Sequence, residues 1–260
     1  MTDRYTFGDN PRAAYRLTLL ASVFEPSSTA LLSGTRDLEP SRALDLGCGP
    51  GHTTDMLHRA LGTAETYGID ASASLVDRAR ARFAPSCVFM VHDMTTVPFP
   101  VPIVDVAYAR YVLTHLRDPA AALAACSTAV RPGGLLVLEE NCALFSEDPL
   151  FAKYYEHVER LQRHYGQDPY PGHKLVEFAE QASWTVRSFE PRRLSLDPHA
   201  MAELHTLNIR TWSHDPYALA AFDEASIAEM TEALDAIAWG DAAAPEVTCI
   251  MGQAILQRAA

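Results

Sequence analysis

The sequence predicts an α/β fold, in which seven strands form a mostly parallel sheet with helices on both faces. Short apolar runs alternate with helical patterns from residue 41 to residue 141, and this alternation favours right-handed crossover units. The first apolar run ends in a turn with three glycines. The 260 residues are 48% hydrophobic and 21% charged, which is enough for a sizeable buried core.

Each predicted strand or helix follows from the spacing of apolar residues in its own segment. Strands are expected at 43–46, 66–69, 87–91, 103–109, 135–138, 184–189 and 247–256. Helices are expected at 53–61, 74–83, 119–130, 149–165, 174–182 and 198–237, together with two in the first forty residues, the second of them around Leu31 and Leu32. We therefore expect residues 1–40 to form an N-terminal lid and residues 41–260 a sheet domain. Helical inserts at about 141–173 and 197–246 would form a substrate cap.

Charge and composition exclude several classes of protein. The formal net charge of −12 opposes binding to phosphate backbones and anionic membranes, and no apolar run is long enough to span a bilayer. The five cysteines show no metal-type or redox-type spacing, and the first ten residues lack the apolar core of a signal peptide. We expect a cytoplasmic monomer or homodimer with a small-molecule substrate and neither nucleic acid nor membrane as partner.

The strongest motif is the run ALDLGCGPG at residues 43–51. It places Asp45 two residues before a turn formed by Gly47, Cys48 and Gly49, where the lack of a Cβ lets backbone approach a ligand. The spacing is G-x-G-x-G, which disfavours a dinucleotide-dependent oxidoreductase with its G-x-G-x-x-G. This motif resembles the first motif of the class I S-adenosylmethionine-dependent methyltransferases, which have a Rossmann-like fold.

The resemblance implies that S-adenosylmethionine is the cofactor and continues along the chain. Asp70, at the end of the second strand and followed by Ala71, corresponds to the carboxylate that accepts from the ribose hydroxyls. Asp93 corresponds to the acceptor of the adenine amino group, and Met94 to the side chain that packs along the purine. Further similar segments follow in the family's order at 105–116, 116–119 and 131–140.

A subset of the family implies a role for the N-terminal region. In that subset an aromatic and an arginine close over the methionine end of the cofactor, and the candidates are Tyr5, Tyr15 and Arg16. A guanidinium suits the cofactor's carboxylate because two charge-assisted bonds can form. Arg110 competes with Arg16 for this role.

Motifs of other methyltransferase subclasses are absent from the sequence. There is no Pro-Cys nucleophile and no Pro-Pro-aromatic run after the fourth strand. Glu139, Glu140 and Asn141 could supply one side of a metal site, but Ala109 and Arg110 supply no acid on the other. We therefore expect no metal.

Catalytic and substrate residues are less constrained by pattern. His115 follows the fourth strand, near the expected position of the methyl group, and is the first candidate for a general base. His173, His205 and His214 are alternatives. Asn141, His173, Trp212 and Tyr15 are the candidate substrate contacts. Other aromatics of the two inserts could line a pocket or belong to the core, among them Tyr154, Tyr155, Tyr165, Tyr170, Tyr217 and Trp239.

Two functions remain open on the sequence alone. The first is methyl transfer to a natural-product-like small molecule, at oxygen before nitrogen or carbon. The second is a protein of this fold that binds the cofactor for a reaction other than methyl transfer, such as a cyclisation.

Overall fold

The computed structural model describes residues 11–240 and 242–259, and it contains one mixed sheet of seven strands. The strands are β1 (Arg42–Leu46), β2 (Glu65–Asp70), β3 (Val88–Val91), β4 (Val104–Arg110), β5 (Val130–Phe145), β6 (Trp184–Leu196) and β7 (Val247–Arg258). Their order in the sheet is β3-β2-β1-β4-β5-β7-β6. The strands β1 to β5 pair in parallel, and β7 runs antiparallel to both β5 and β6. The predicted fold class is confirmed.

Nine helices cover the sheet within the described ranges. They are α1 (Pro11–Ser33), α2 (His52–Leu61), α3 (Ala73–Phe83), α4 (Pro119–Cys126), α5 (Pro149–His164), α6 (Leu175–Gln181), α7 (Pro198–Trp212), α8 (Pro216–Ala221) and α9 (Glu224–Trp239). Short 3₁₀ turns lie at Arg36–Leu38, Leu113–His115 and Pro171–Lys174. The candidate Tyr5 lies outside the described residues.

The central strands are buried on both faces, as parallel strands are. Along β5, Leu136 and Leu138 point into one core, whereas Leu135 and Val137 point into the other, because side chains alternate along a strand. All four are at most 2% exposed. A third core lies between α5, α7 and α9, and these three helices are called the cap below for their position alone.

The N-terminal region differs from the prediction of two helices. A single helix, α1, runs from Pro11 to Ser33 and includes Pro26. Its buried positions Ala21, Phe24, Ser28 and Leu32 follow helical spacing without interruption. Pro26 lies on the exposed face, so the helix keeps one continuous packed side.

The second half also differs in its boundaries. The expected helix 198–237 is three helices, because Asp215 and Asp223 each accept backbone N–H bonds that start a new helix. The helix α4 ends at Cys126, four residues before the predicted end. The strands β5 and β6 run well past the predicted 138 and 189, since both pair along β7.

Candidate active site

A cavity of about 570 Å³ opens at the carboxyl ends of the parallel strands. The turn after β1, the end of β2, the segment after β3 and the end of β4 form one side of it. The helices α1, α5 and α7 form the other side. Ligands of open α/β sheets bind in this position.

The glycine turn after β1 places backbone against the cavity. A Cβ added to Gly49 would meet only the Leu17 Cδ1 atom, at 3.5 Å, so this position faces open space. Gly47 and Gly51 have other neighbours: a Cβ would lie 2.6 Å from Val112 at Gly47, and 2.9 Å from Ala79 at Gly51. The approach of a ligand therefore depends mainly on Gly49.

Asp70 holds this turn at the end of β2. Its Oδ2 accepts from the backbone N–H of Gly49 at 2.9 Å, and its Oδ1 accepts from that of Ser72 at 2.8 Å. Burial raises the pKa of the carboxyl, against the effect of these two bonds. Asp70, Ala71 and Ser72 all line the cavity.

The structure places Asp45 beneath the cavity and not on its wall. The carboxylate is 1% exposed and accepts from the hydroxyls of Thr53 and Thr54, at 2.6 and 2.7 Å. Burial raises its pKa to about 6. Asp45 is therefore too deep for direct contact, and it orients Thr53, which does line the cavity.

Asp93 and Met94 lie together on the cavity wall after β3. Asp93 Oδ1 accepts from both the backbone N–H and the hydroxyl of Thr95, each at 2.8 Å, which fixes the carboxylate. Met94 is 6% exposed and packs against the core below. The pair offers one polar acceptor beside one apolar surface.

Two arginines border the cavity, Arg16 from α1 and Arg110 from the end of β4. Both are buried. Arg110 donates through Nη1 to the Ser28 hydroxyl at 2.8 Å, and its guanidinium lies 5.9 Å from the Phe24 ring centre. Arg110 thus fastens α1 to the sheet as well as facing the cavity.

His115 also lies on the cavity wall, in the 3₁₀ turn after β4. The surrounding protein and the positive charge of Arg16 lower the pKa of its imidazole to about 3. The ring is therefore unprotonated across the physiological range, the form in which an imidazole nitrogen can accept a hydrogen bond or a proton.

The predicted substrate contacts divide into two groups. Asn141 lines the cavity and accepts from the Tyr111 hydroxyl at 2.9 Å. Tyr15, His173 and Trp212 do not line it. Tyr15 is 49% exposed and donates to Glu203, His173 is exposed, and Trp212 is 1% exposed within the cap core. The apolar ring of Trp212 is used for packing, as is common for large aromatics.

Sequence reasoning missed Asn208 and Tyr111, which both line the cavity. Asn208 lies three residues after His205 on α7, so the two share a helical face. That spacing was visible in the sequence. Tyr111 carried no such signal, because its backbone φ of +57° comes from the tertiary structure around the end of β4.

Neither a metal cluster nor a membrane helix is found in the described part of the chain. Within residues 11–240 and 242–259, no three histidine, cysteine or acidic side chains meet in a way that could hold a metal ion. The helices there are also too short or too polar to cross a bilayer.

Comparison with known proteins agrees with this geometry. Residues 44–138 match the family described as "Methyltransferase domain". An uncharacterised methyltransferase of Schizosaccharomyces pombe is 28% identical over 179 residues, which cover 63% of each chain. Trans-aconitate 2-methyltransferase of Methylobacterium radiotolerans is 38% identical over 101 residues, 38% of each chain. The chain thus aligns with less than two thirds of the length of either relative.

Solved structures share the fold. A protein of Bacillus halodurans C-125, provisionally classed as a methyltransferase, superposes with a TM-score of 0.59 at 15% identity, over 90% of this chain and all of that one. Phosphoethanolamine N-methyltransferase 2 of Haemonchus contortus, solved with S-adenosylhomocysteine, gives 0.52 at 14% identity, over 85% of this chain and 49% of that one. Residues 44–138 therefore match a methyltransferase domain, and the chain around them has the fold of these solved structures.

Proposed function

We propose that the protein transfers a methyl group from S-adenosylmethionine to a small-molecule acceptor, at an oxygen atom. The observation that carries this proposal is the continuity of one cavity. On its sheet side the backbone of Gly49 faces open space that a Cβ would fill. Its cap side is lined by aromatic and apolar side chains. One such cavity has space for a cofactor and for an acceptor molecule beside it.

The residues on the sheet side fit the cofactor. Asp70 would accept from the ribose hydroxyls, Asp93 from the adenine amino group, and Met94 would cover the purine. Gly49 would let the ligand pass close to the backbone. Arg16 and Arg110 are the candidate partners of the carboxylate, since both guanidinium groups border the cavity.

When bound, S-adenosylmethionine supplies a methyl group made electrophilic by its sulfonium. The protein then has to hold the acceptor in line with that methyl and keep out water. As the new O–C bond forms, the S–C bond breaks and its electron pair stays on sulfur. The acceptor's proton, where it has one, leaves to a base or to solvent.

Oxygen is the proposed acceptor atom because a candidate base lies on the cavity wall. A hydroxyl has to lose its proton when it is methylated, whereas a neutral amine can attack without a base. His115, whose imidazole is kept unprotonated by burial, is the group placed to take that proton.

The proposal is tested by mass spectrometry after incubation with S-adenosylmethionine and a panel of acceptors. We expect S-adenosylhomocysteine together with a product heavier by one CH₂ unit. Calorimetric titration with S-adenosylhomocysteine comes first and should show binding. Cofactor that binds but is never consumed across a broad panel would contradict methyl transfer.

We also propose His115 as the base for acceptors that carry a proton. His115→Ala should then lower turnover at saturating acceptor by at least about tenfold, with unchanged cofactor affinity. Because the imidazole has a pKa of about 3, it stays unprotonated above that pH. As the pH is lowered from about 7 to 5.5, kcat/KM should therefore not fall through protonation of His115. A smaller drop than tenfold would leave His115 as a wall residue only.

A further inference from the structure

Two helices of the cap place a buried polar cluster on the cavity wall. Tyr154 and Tyr155 come from α5, and His205 and Asn208 come from α7. All four line the cavity, and none is more than 6% exposed. We call these four residues the cap cluster. The cofactor contacts proposed above involve none of them.

The cap cluster is held rigidly by its own contacts. Asn208 Nδ2 donates to the Tyr154 hydroxyl at 2.7 Å, and His205 Nε2 lies 3.0 Å from the Tyr155 hydroxyl. The His205 ring also stacks on Tyr154, with ring centres 4.0 Å apart and planes at 21°. The four side chains therefore have fixed positions before any ligand enters.

Two atoms of the cluster are left without a partner. Asn208 Oδ1 and His205 Nδ1 are buried and have no hydrogen-bond partner among the described residues. Buried polar atoms are nearly always paired, so unpartnered atoms on residues that line a cavity are candidates for contact with a ligand. Both side chains are more than nine-tenths buried, which sets them apart from ordinary surface groups.

The chemistry of these atoms limits what can bind. An amide oxygen only accepts hydrogen bonds, so the ligand group must donate one to Asn208 Oδ1. A carboxylate has no proton to donate. An ammonium can donate as well, so the amide oxygen discriminates against carboxylates only. His205 adds no charge, because burial lowers the pKa of its imidazole to about 3.

We propose, on the basis of the function proposed above, that the cap cluster binds a neutral hydroxyl group of the acceptor and selects hydroxylated ring compounds over carboxylates. The hydroxyl donates to Asn208 Oδ1. In the tautomer where Tyr155 donates to Nε2, His205 donates to the same ligand through Nδ1. The rings of Tyr154 and Tyr155, with Met201 and Leu204 beside them on the cavity wall, provide the apolar surface for a ring.

The test compares naphthol and naphthoic acid, substituted at the same ring position. Calorimetry at about pH 7.5 measures their binding to protein saturated with S-adenosylhomocysteine. We expect naphthol to bind at least about tenfold more tightly than naphthoate, about 1.4 kcal/mol. Equal or tighter binding of naphthoate would overturn the proposal, as would no binding of naphthol at about 1 mM.

Variants locate the selectivity in the cap cluster. Asn208→Leu keeps the size of the side chain and removes the acceptor, so naphthol affinity should fall about tenfold with unchanged affinity for S-adenosylhomocysteine. Thr206→Val is the matched control, because Thr206 lies on the same helix, is 2% exposed and also has an unpartnered hydroxyl, but does not line the cavity. It should leave both affinities unchanged. Naphthol selectivity that survives Asn208→Leu would overturn the assignment.

The two proposals fail in different ways. If S-adenosylhomocysteine does not bind to the unaltered protein, the methyltransferase proposal fails. If it binds but the loaded protein shows no preference for naphthol, only the inference about the cap cluster fails. Should Asn208→Leu lose S-adenosylhomocysteine binding as well, the selectivity of the unaltered protein decides.

Discussion

At Gly49 a single missing side chain leaves space for a ligand. The residue has φ of +52°, and its Cβ position is open apart from one atom of Leu17. Gly62, at the end of α2, has a comparable φ of +67° and no atom within 4 Å, but it does not line the cavity. The two glycines have a similar positive φ, and they differ in whether the space at the Cβ position belongs to the cavity.

This pair gives a first prediction. Gly49→Val should abolish measurable binding of S-adenosylhomocysteine, since the branched side chain would fill the ligand's space. Gly62→Ala should cost about 1 kcal/mol of unfolding free energy and leave binding intact. Calorimetry and chemical denaturation measure the two effects. Near-normal affinity in Gly49→Val would show that the turn does not hold the cofactor.

Glu140 is a buried acid next to the site that does not line the cavity. It is 1% exposed, and its Oε1 accepts from the backbone N–H groups of Val112 and Leu113, at 2.7 and 2.6 Å. Burial raises the pKa of the carboxyl to about 8. Glu140 thereby shapes the start of the 3₁₀ turn that carries His115.

The raised pKa predicts how stability changes with pH. The folded state keeps the Glu140 proton up to about pH 8, whereas the unfolded chain loses it near 4.5. Stability from this group is therefore complete below pH 4.5 and is lost as pH rises towards 8. Between pH 6.5 and 8 the loss should be about 2 kcal/mol.

Urea unfolding across this range is the measurement. Glu140→Gln keeps an oxygen acceptor for the two N–H groups and should lose most of the slope. Glu190→Gln, at an exposed position of β6, is the control and should keep it. An unchanged slope in Glu140→Gln would mean that another group titrates.

At the scale of elements, one carboxylate joins three of them at the site. Asp70 ends β2, holds the turn after β1 through Gly49, and holds the start of α3 through Ser72. Asp105 has a comparable role at the opposite end of the parallel strands. It accepts from the backbone N–H groups of Ser41 and Arg42, both at 2.9 Å. The two acids therefore form a matched pair at opposite ends of the sheet.

We expect Asp70→Asn to weaken S-adenosylhomocysteine by about 1–3 kcal/mol, since charge-assisted bonds to the ligand and to the turn are lost. Asp105→Asn should lower the unfolding free energy and leave affinity unchanged. Calorimetry on both variants separates the two effects. Equal affinity in the two variants would mean that Asp70 only supports the fold.

On the scale of the whole molecule, α1 connects the sheet and the cap. Ser27 and Ser28 accept from Gln253 and Arg110 of the sheet, at 2.9 and 2.8 Å. On the cap side Tyr15 donates to Glu203 at 2.6 Å. Between these anchors, Arg16 and Leu17 line the cavity. A ligand in the cavity would therefore contact α1 along its first turns.

Hydrogen exchange tests this arrangement. Binding of S-adenosylhomocysteine should slow exchange of α1 amides by at least about tenfold, because a segment that contacts a bound ligand unfolds locally less often. The paired middle of β6, away from the cavity, serves as an internal reference and should change much less. Equal protection of both segments would indicate a general stabilisation without contact to α1.

How much could be predicted depended on how local the signal was. The strand positions and the class of fold were predictable, because periodicity and the glycine turn lie within short segments. The length of β6 was not, because it depends on pairing with β7. The division of 198–237 into three helices had a local signal in the capping residues Asp215 and Asp223, which the continuous helical pattern of the segment masked.

The sequence by itself determined the fold class and the sheet side of the cavity, where the residues follow strands in a fixed order and their spacing carries the information. Only the tertiary structure decided which polar side chains of the cap face the cavity. In the structure Asp45 lies below the cavity, Trp212 lies in the core, and Asn208 lies on the cavity wall. The physical reason is that helical inserts pack by shape and burial, and many sequences satisfy those demands with the same pattern of apolar residues.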